Sequence, residues 1–156
     1  MNNPFPNDPD RREIWDMLVA RDTEAWCNAD WAAVEGDFLA GEFLGLDAGF
    51  TSRPDHWRLG FPTLESYRDS WLSSAQECQQ VRLVGTTVRE LVSRATLLGD
   101  IDIQGAHAVA HKKFLGEAEK EGGGKMSLNW QTLYFLRKVE GRWKISGFLG
   151  YLAGGI

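Results

Sequence analysis

Hydrophobic and polar positions alternate most clearly at the end of the chain, between Ser127 and Tyr151. A period of two is typical of a β-strand, whose successive side chains point to opposite faces of a sheet. Glu140-Gly141 supplies a turn between two such runs. We therefore predict a long antiparallel hairpin over 127–151. One face of its first strand carries Leu128, Trp130, Thr132, Tyr134 and Leu136, and the other carries Gln131, Leu133 and Phe135.

The start of the chain shows helical spacing instead. After a loose arm over residues 1–8, Asp8-Pro9 opens a helix, because Asp caps free N–H groups and Pro suits the first helical turn. Apolar residues from Ile14 to Trp26 then recur on one helical face. Asn28-Ala29-Asp30 ends this helix, and a short second helix follows.

The middle of the chain is predicted to alternate between both kinds of element. A strand over 42–48 leads into a long loop over 49–62, and Thr63 caps an amphipathic helix. Residues 79–94 fit a strand or a helical turn equally well. The last predicted elements before the hairpin are a strand around Ile101–Ile103, a returning strand over His107–Leu115 and a mobile connection over Glu117–Lys125.

Helices come first and meandering strands afterwards, which predicts an α+β fold with helices packed on one face of a curved, mostly antiparallel sheet. The length of 156 residues fits a single domain over 1–156. Hydrophobic residues make up 43% of the chain and charged residues 25%, a globular composition.

Charge and composition narrow the classes of partner. The net charge is −5 and basic residues are not clustered, so nucleic acid is not an expected partner. No apolar run approaches about 18 residues, so no membrane span is expected. The first residues lack the parts of a secretory signal, which makes the cytoplasm the expected location. Cys27 and Cys78 form no metal-ligand spacing and no disulfide framework, so no metal is expected.

The order of elements and the ending Leu136-Arg137-Lys138-Val139-Glu140-Gly141-Arg142-Trp143-Lys144-Ile145 resemble the nuclear transport factor 2-like, or SnoaL-like, superfamily. The resemblance spans about Arg11 to Leu152. It implies a cone-shaped α+β barrel around a deep apolar cavity, and a homodimer formed through the outer face of the sheet. Members include steroid isomerases, polyketide cyclases and non-catalytic subunits, so the fold alone does not fix the function.

The nearest functional resemblance is to scytalone dehydratase. Its strand motif of a histidine, two polar residues and an aromatic residue is similar to His111-Lys112-Lys113-Phe114, which would make His111 the matching catalytic histidine. Most of that enzyme's other catalytic residues have no counterpart in this sequence. A comparison with steroid isomerases places their general base near Asp47, but their oxyanion pair falls on Thr23 and Leu133 and is lost.

Asp22 is the most informative anomaly, because it falls within the apolar stripe of the first helix. Burial would raise the pKa of this carboxyl toward the working range of a general acid or base. The alternative is an aspartate paired with a nearby arginine, such as Arg21 or Arg142. His111 could move protons near neutral pH or simply face solvent beside Lys113. Asp47 could be catalytic or only form a turn.

Aromatic residues supply a candidate binding wall. Seven tryptophans are many for this length, and a surplus of aromatic side chains often lines a pocket, although the same spacing also suits an ordinary core. Trp57 lies in the long loop, which could act as a lid. The predicted substrate-binding residues are Trp26, Trp57, Tyr67, Trp71, Trp130, Thr132 and Tyr134.

We therefore expect a lyase, dehydratase or isomerase that needs no cofactor and acts on a small, apolar, aromatic or polyketide-like molecule. Asp22 or Asp47 would work with His111 to move protons. The alternative is a ligand-binding or dimerisation module of the same fold without catalytic activity. In that case Asp22 would be neutralised by a local arginine and His111 would face solvent.

Overall fold

The computed structural model describes residues 1–154. Its α-helices are α1 (Pro9–Trp15), α2 (Asp22–Asn28), α3 (Ala32–Glu35), α4 (Leu64–Gln79) and α5 (Val88–Ala95). Its strands are β1 (Leu44–Asp47), β2 (Arg58–Phe61), β3 (Thr96–Gln104), β4 (His107–Glu119), β5 (Lys125–Val139) and β6 (Arg142–Ala153). The predicted hairpin is therefore present as β5 and β6, and both strands are longer than the alternation alone indicated.

The first helix runs from Pro9 to Asn28, but its middle is wound differently. Asp8 caps α1 by accepting a hydrogen bond from the backbone N–H of Arg11. Residues Asp16–Arg21 then form a π-helical segment that joins α1 to α2 without a break. Such segments locally shift the register of side chains and are frequent at functional sites. Here the segment ends immediately before Asp22.

The arm over residues 1–8 lies against this helix. The Asn3 side-chain amide donates hydrogen bonds to the Arg12 carbonyl and to Asp16. Phe5 packs against the main core. The predicted loose arm is thus tied down at two positions.

One six-stranded sheet follows the order β2-β1-β6-β5-β4-β3. Neighbouring strands are antiparallel except β1 and β6, which are parallel. The register shifts between β5 and β6 at Gln131/Leu133 and again at Phe135/Leu136. Each such irregularity bends a strand and increases its twist. The sheet is therefore curved, and the helices pack over one of its faces, as the sequence predicted.

The structure corrects the sequence prediction in one region of the chain and decides between two predicted alternatives in another. The expected loop over 49–62 contains the edge strand β2, which pairs with β1. The ambiguous stretch over 79–94 contains α5. Its first turn is held by a capping box in which Thr87 and Glu90 each accept the other's backbone N–H. A capping box is a sequence signal for the start of a helix, so α5 could have been predicted from the sequence.

Within residues 1–154, no helix combines the length and the hydrophobicity that crossing a bilayer requires.

Candidate functional site

A cavity of about 320 Å³ lies between the helices and the helix-facing side of the sheet. Helices α2 and α4 supply one wall, and strands β4, β5 and β6 supply the other. Of the seven predicted binding residues, six lie on its walls: Trp26, Tyr67, Trp71, Trp130, Thr132 and Tyr134. The alternation of β5 explains three of them, because Trp130, Thr132 and Tyr134 share one strand face. The opposite set, with Gln131, Leu133 and Phe135, lies on the other side.

The aromatic residues of the cavity pack in two groups. Phe114 and Trp130, which are paired across β4 and β5, stack with ring centroids 4.5 Å apart. Tyr67 and Phe148 meet edge to face at 4.9 Å. The Trp26 indole N–H donates a hydrogen bond to the Ser74 hydroxyl, which ties α2 to α4 beside the cavity. These walls are flat and apolar, which suits a planar ligand.

Asp22 projects from the first turn of α2 into this cavity. Its Oδ2 accepts a hydrogen bond from Lys112 Nζ at 2.7 Å, and 30% of its side chain is exposed. Among residues 1–154, no donor bonds to the other oxygen, Oδ1. The carboxylate is therefore anchored through one oxygen and free through the other.

Lys112 is the partner that the sequence interpretation missed. It lies on β4 with only 1% of its side chain exposed, and its ammonium also donates to the Leu18 carbonyl at 2.5 Å. The same ammonium lies 5.0 Å from the centre of the Phe114 ring. A buried cation needs this kind of complete environment, because an unpaired charge is very costly away from water. The Leu18 carbonyl belongs to the π-helical segment, so that segment contributes to the site directly.

Three tyrosines line the same cavity as Asp22, and they are the three tyrosines of the whole chain. Burial raises the pKa of Tyr67 and of Tyr134 well above the ordinary value, and the negative charge of Asp22 adds to both shifts. Burial likewise raises the pKa of Tyr151, with Asp47 and Asp22 contributing. All three phenols are therefore neutral O–H donors near neutral pH.

His111 does not lie in this cavity, which corrects the prediction that it works beside Asp22. It occupies the opposite parity of β4 from Lys112, so its side chain is on the outer face of the sheet. There its Nε2 lies 2.7 Å from the side-chain oxygen of Gln131. The resemblance to scytalone dehydratase depended on this histidine, and the strand places Lys112 where that comparison expected His111 to act.

Asp47 and Trp57 also lie apart from the residues that line the cavity. The Asp47 carboxylate accepts the Gly49 backbone N–H at 2.7 Å and pairs with Arg58 at 2.9 Å. This is the turn-forming role that the sequence offered as its alternative. The Trp57 indole N–H is buried without a hydrogen-bond partner among residues 1–154. Trp57 follows the turn Pro54–His56 and precedes β2.

The two cysteines are free, half-buried thiols. Burial raises the pKa of Cys27 and of Cys78, so both are neutral near neutral pH. Only Cys78 is among the residues that line the cavity. A protonated thiol is a weak nucleophile, so neither cysteine is a candidate for nucleophilic catalysis.

The arrangement has the parts that proton transfer requires. Asp22 is a carboxylate with one free oxygen, Lys112 fixes its other oxygen, and the phenols can donate hydrogen bonds to a developing oxyanion. Within the described chain, no group of three or more His, Cys, Asp or Glu side chains could hold a metal ion.

Strand parity is the sequence signal that could have placed Lys112 on the cavity-facing side of β4. Ala108, Ala110 and Phe114 share its face of β4, and the first two are completely or nearly buried. Lys112 also pairs with Thr132, which was already placed on the inner face of the hairpin. Extending the hairpin register by one strand would have brought a lysine into the cavity.

Helices over the concave face of a bent, six-stranded sheet define the cone-shaped class of α+β proteins. Solved structures agree with this class at low sequence identity. A nuclear transport factor 2-like protein of unknown function from Shewanella baltica is 15% identical, with a TM-score of 0.52 over 88% of this chain and 89% of its own. A ketosteroid isomerase-like protein from Erwinia carotovora atroseptica is 16% identical, with a TM-score of 0.54 over 92% and 95%.

A third structure, an NTF2-like protein with a cystatin-like fold from Novosphingobium aromaticivorans, is 16% identical, with a TM-score of 0.51 over 92% of this chain and 81% of its own. The chain therefore has the nuclear transport factor 2-like fold, as its sequence indicated. No family model matches the sequence. No curated protein matches it either. At these identities the likeness establishes the fold, and the function has to be argued from the cavity.

Proposed function

We propose that this protein is an enzyme that moves a proton on a small, planar, apolar ligand without a cofactor, as a lyase, dehydratase or isomerase does. The observation that carries this proposal is the Asp22 carboxylate, which lines an aromatic cavity and has one oxygen, Oδ1, that accepts no hydrogen bond from residues 1–154. A carboxylate held beside a bound ligand can act as a general base.

Asp22 Oδ1 would accept a proton from the ligand, and the electrons left behind would move onto a ligand oxygen. A phenol of Tyr67 or Tyr134 would donate a hydrogen bond to that oxygen as its charge develops. Asp22 would then return the proton, either to a second carbon, which gives isomerisation, or to a departing hydroxyl, which gives elimination. Lys112 would hold the carboxylate in place throughout.

This proposal replaces the earlier pairing of Asp22 with His111. The two phenols supply hydrogen-bond donors that a histidine would otherwise supply, and they line the same cavity as the carboxylate, Tyr67 from α4 and Tyr134 from β5. Free thiols at Cys27 and Cys78 support a cytoplasmic setting for the reaction.

The test begins with a thermal-shift screen of neutral aromatic and polyketide-like compounds. A compound present at about 100 times its dissociation constant should add about 2.7 kcal/mol of stability. Each stabilising compound is then incubated with the protein, and its conversion is followed by its absorbance. We expect Asp22→Asn to lower turnover by at least about 100-fold.

The matched control is His111→Ala, which alters the outer face and should retain wild-type turnover. Binding of the same compound to Asp22→Asn shows that the variant is folded. If Asp22→Asn turned over a substrate at the wild-type rate, the assignment of Asp22 as the base would be wrong.

A second candidate is a ligand-binding module without catalytic activity. Two observations favour it: Asp22 is paired with a cation, which is Lys112 and not the arginine that this alternative expected, and His111 lies on the outer face. Compounds that bind tightly and are never converted would support this candidate over the enzyme.

The outer sheet face supports a further proposal, that two copies of the chain pair through it. Val109 and Phe135 are cross-strand partners on that face, and they are 41% and 36% exposed. Leu115 on the same face of β4 is also exposed. Adjoining apolar side chains of this size are typical of an interaction surface.

A further inference from the structure

The cavity contains one positive and one negative charge, and they are joined to each other. Lys112 Nζ lies 2.7 Å from Asp22 Oδ2, and its bond to the Leu18 carbonyl uses a second of its three hydrogens. The Phe114 ring lies against the same ammonium. Lys112 is therefore committed to protein groups and has little capacity left for a ligand.

The other titratable groups on the cavity walls carry no charge near neutral pH. Burial raises the pKa of Tyr67, of Tyr134, of Tyr151 and of Cys78, and all four keep their protons. Among the described residues that line the cavity, Asp22 and Lys112 are then the charged ones, and their charges cancel. A ligand therefore meets a wall with no net charge.

A ligand that carries a charge has no uncompensated partner in this cavity. An anion would approach the free oxygen of Asp22, while Lys112 is already bound by that carboxylate. A cation would compete with Lys112 for the same carboxylate. In both cases the ligand would also lose its hydration in an aromatic environment, which is costly for an ion.

We propose that Lys112 is a specificity-determining residue, and that its pairing with Asp22 restricts the cavity to uncharged planar ligands that present a hydrogen-bond donor to Asp22 Oδ1. A phenol-like or enol-like hydroxyl on an aromatic ring is such a donor. This inference rests on the proposed function in one respect, the assignment of the ligand to this cavity.

The test compares three probes that share one ring system and differ in charge. These are 2-naphthol, which is neutral, 2-naphthoate, which is anionic, and a 2-naphthyl trimethylammonium salt, which is cationic. Quenching of tryptophan fluorescence at neutral pH gives each affinity, since Trp26, Trp71 and Trp130 line the cavity. We expect 2-naphthol to bind at least about tenfold more tightly than either ion.

Two variants should each weaken the preference for the neutral probe, one in favour of the anionic probe and the other in favour of the cationic probe. Asp22→Asn leaves the Lys112 ammonium without its counter-charge, so 2-naphthoate should gain at least about tenfold in affinity and 2-naphthol should lose its advantage. Lys112→Met leaves the carboxylate alone, so the cationic probe should gain instead. The matched control is Asp100→Asn, which removes an aspartate paired with Lys113 outside the cavity and should leave all three affinities unchanged.

The outcomes separate this inference from the proposed function. If 2-naphthoate binds the wild-type protein as tightly as 2-naphthol, the charge preference is overturned, whatever the protein catalyses. If 2-naphthol ranks first and the variants reverse the order, the inference stands even when no compound is converted. If either variant fails to fold, the ranking of the wild-type protein still decides.

Discussion

Two lysines next to each other on β4 form ion pairs of opposite character. Lys112 pairs with Asp22 at 2.7 Å, and 1% of its side chain is exposed. Lys113 pairs with Asp100 at 3.6 Å, and its side chain is 28% exposed while that of Asp100 is 74% exposed. Successive residues of a strand point to opposite faces, so one pair lies in the cavity and the other lies in solvent.

The comparison teaches that position on the sheet, and not residue type, decides what a charge does here. In water an ion pair gains little, because solvent screens both charges and long side chains lose freedom. In the cavity the same two chemical groups depend on each other, because neither can be hydrated fully. The inner pair is therefore the stronger candidate for a role in function.

The largest expected effect is on stability. Lys112→Ala should lower the free energy of unfolding by about 4 kcal/mol, because it removes one partner of a buried pair and leaves a space behind. Lys113→Ala should change it by less than about 1 kcal/mol. Urea denaturation of both variants measures the difference.

Asp22→Leu combined with Lys112→Met serves as the control for this pair, since it removes both charges and keeps most of the volume. Replacing both partners with apolar residues is often neutral or stabilising. Equal losses for Lys112→Ala and Lys113→Ala would show that the inner and outer pairs do not differ as described.

The tyrosines extend the same contrast between the two sides of the sheet, because all three line the cavity and none lies on the outer face. Burial holds the pKa of Tyr67 and of Tyr134 well above that of an unfolded chain. Their contribution to stability is therefore fully present below about pH 10 and is lost as the pH rises further. Each phenol that stays protonated only in the folded state costs up to about 1.4 kcal/mol per pH unit in that range.

The measurement is the near-ultraviolet absorbance of phenolate in native and in urea-unfolded protein. The unfolded chain should ionise its tyrosines near pH 10, and the native protein should delay ionisation until it unfolds. Free ionisation of all three tyrosines in the native protein near pH 10 would contradict the enclosed cavity.

Much of the fold could be predicted because its signals are local. The alternation from Leu128 to Leu136 gave the face of β5 that lines the cavity, and Asp8 marked the start of the first helix. The seven tryptophans are shared between the core and the cavity, as expected when a chain has more aromatic residues than its core needs. Trp15, Trp31 and Trp143 are in the core, Trp26, Trp71 and Trp130 line the cavity, and Trp57 lies outside both sets.

The site was predicted only in part because its central contact is not local. Asp22 and Lys112 are 90 positions apart, and no spacing rule connects a helix to a strand across that distance. The alternation of β4 was also ambiguous, since His111 and Lys112 are both polar and either could face inward. The resemblance of His111-Lys112-Lys113-Phe114 to the scytalone dehydratase motif favoured His111, whose side chain lies on the outer face.

A smaller effect is expected for His111, which represents the outer face in this comparison. His111→Ala removes its hydrogen bond with Gln131, which should cost about 1 kcal/mol of stability. The affinities of the three naphthyl probes should stay within about twofold of the wild-type values, a change of about 0.4 kcal/mol. Fluorescence titration of the variant measures these affinities. Loss of probe binding would show that His111 contributes to the binding site.

The smallest effect on the stability of the folded chain is expected at Phe135, where the outer face is proposed to pair with a second copy. Phe135→Lys should change the unfolding free energy of the isolated chain by less than about 0.5 kcal/mol, since the side chain is exposed. It should nevertheless shift the protein from dimer to monomer in sedimentation velocity, because a charge is placed in an apolar interface. Val84→Lys, at an exposed apolar residue outside the sheet's named strands, is the matched control and should leave the dimer intact. A wild-type chain that sediments as a monomer, or a Phe135→Lys variant that sediments as a dimer, would contradict the proposal that two copies pair through the outer face. The inner face would then be the one side of the sheet with a proposed function.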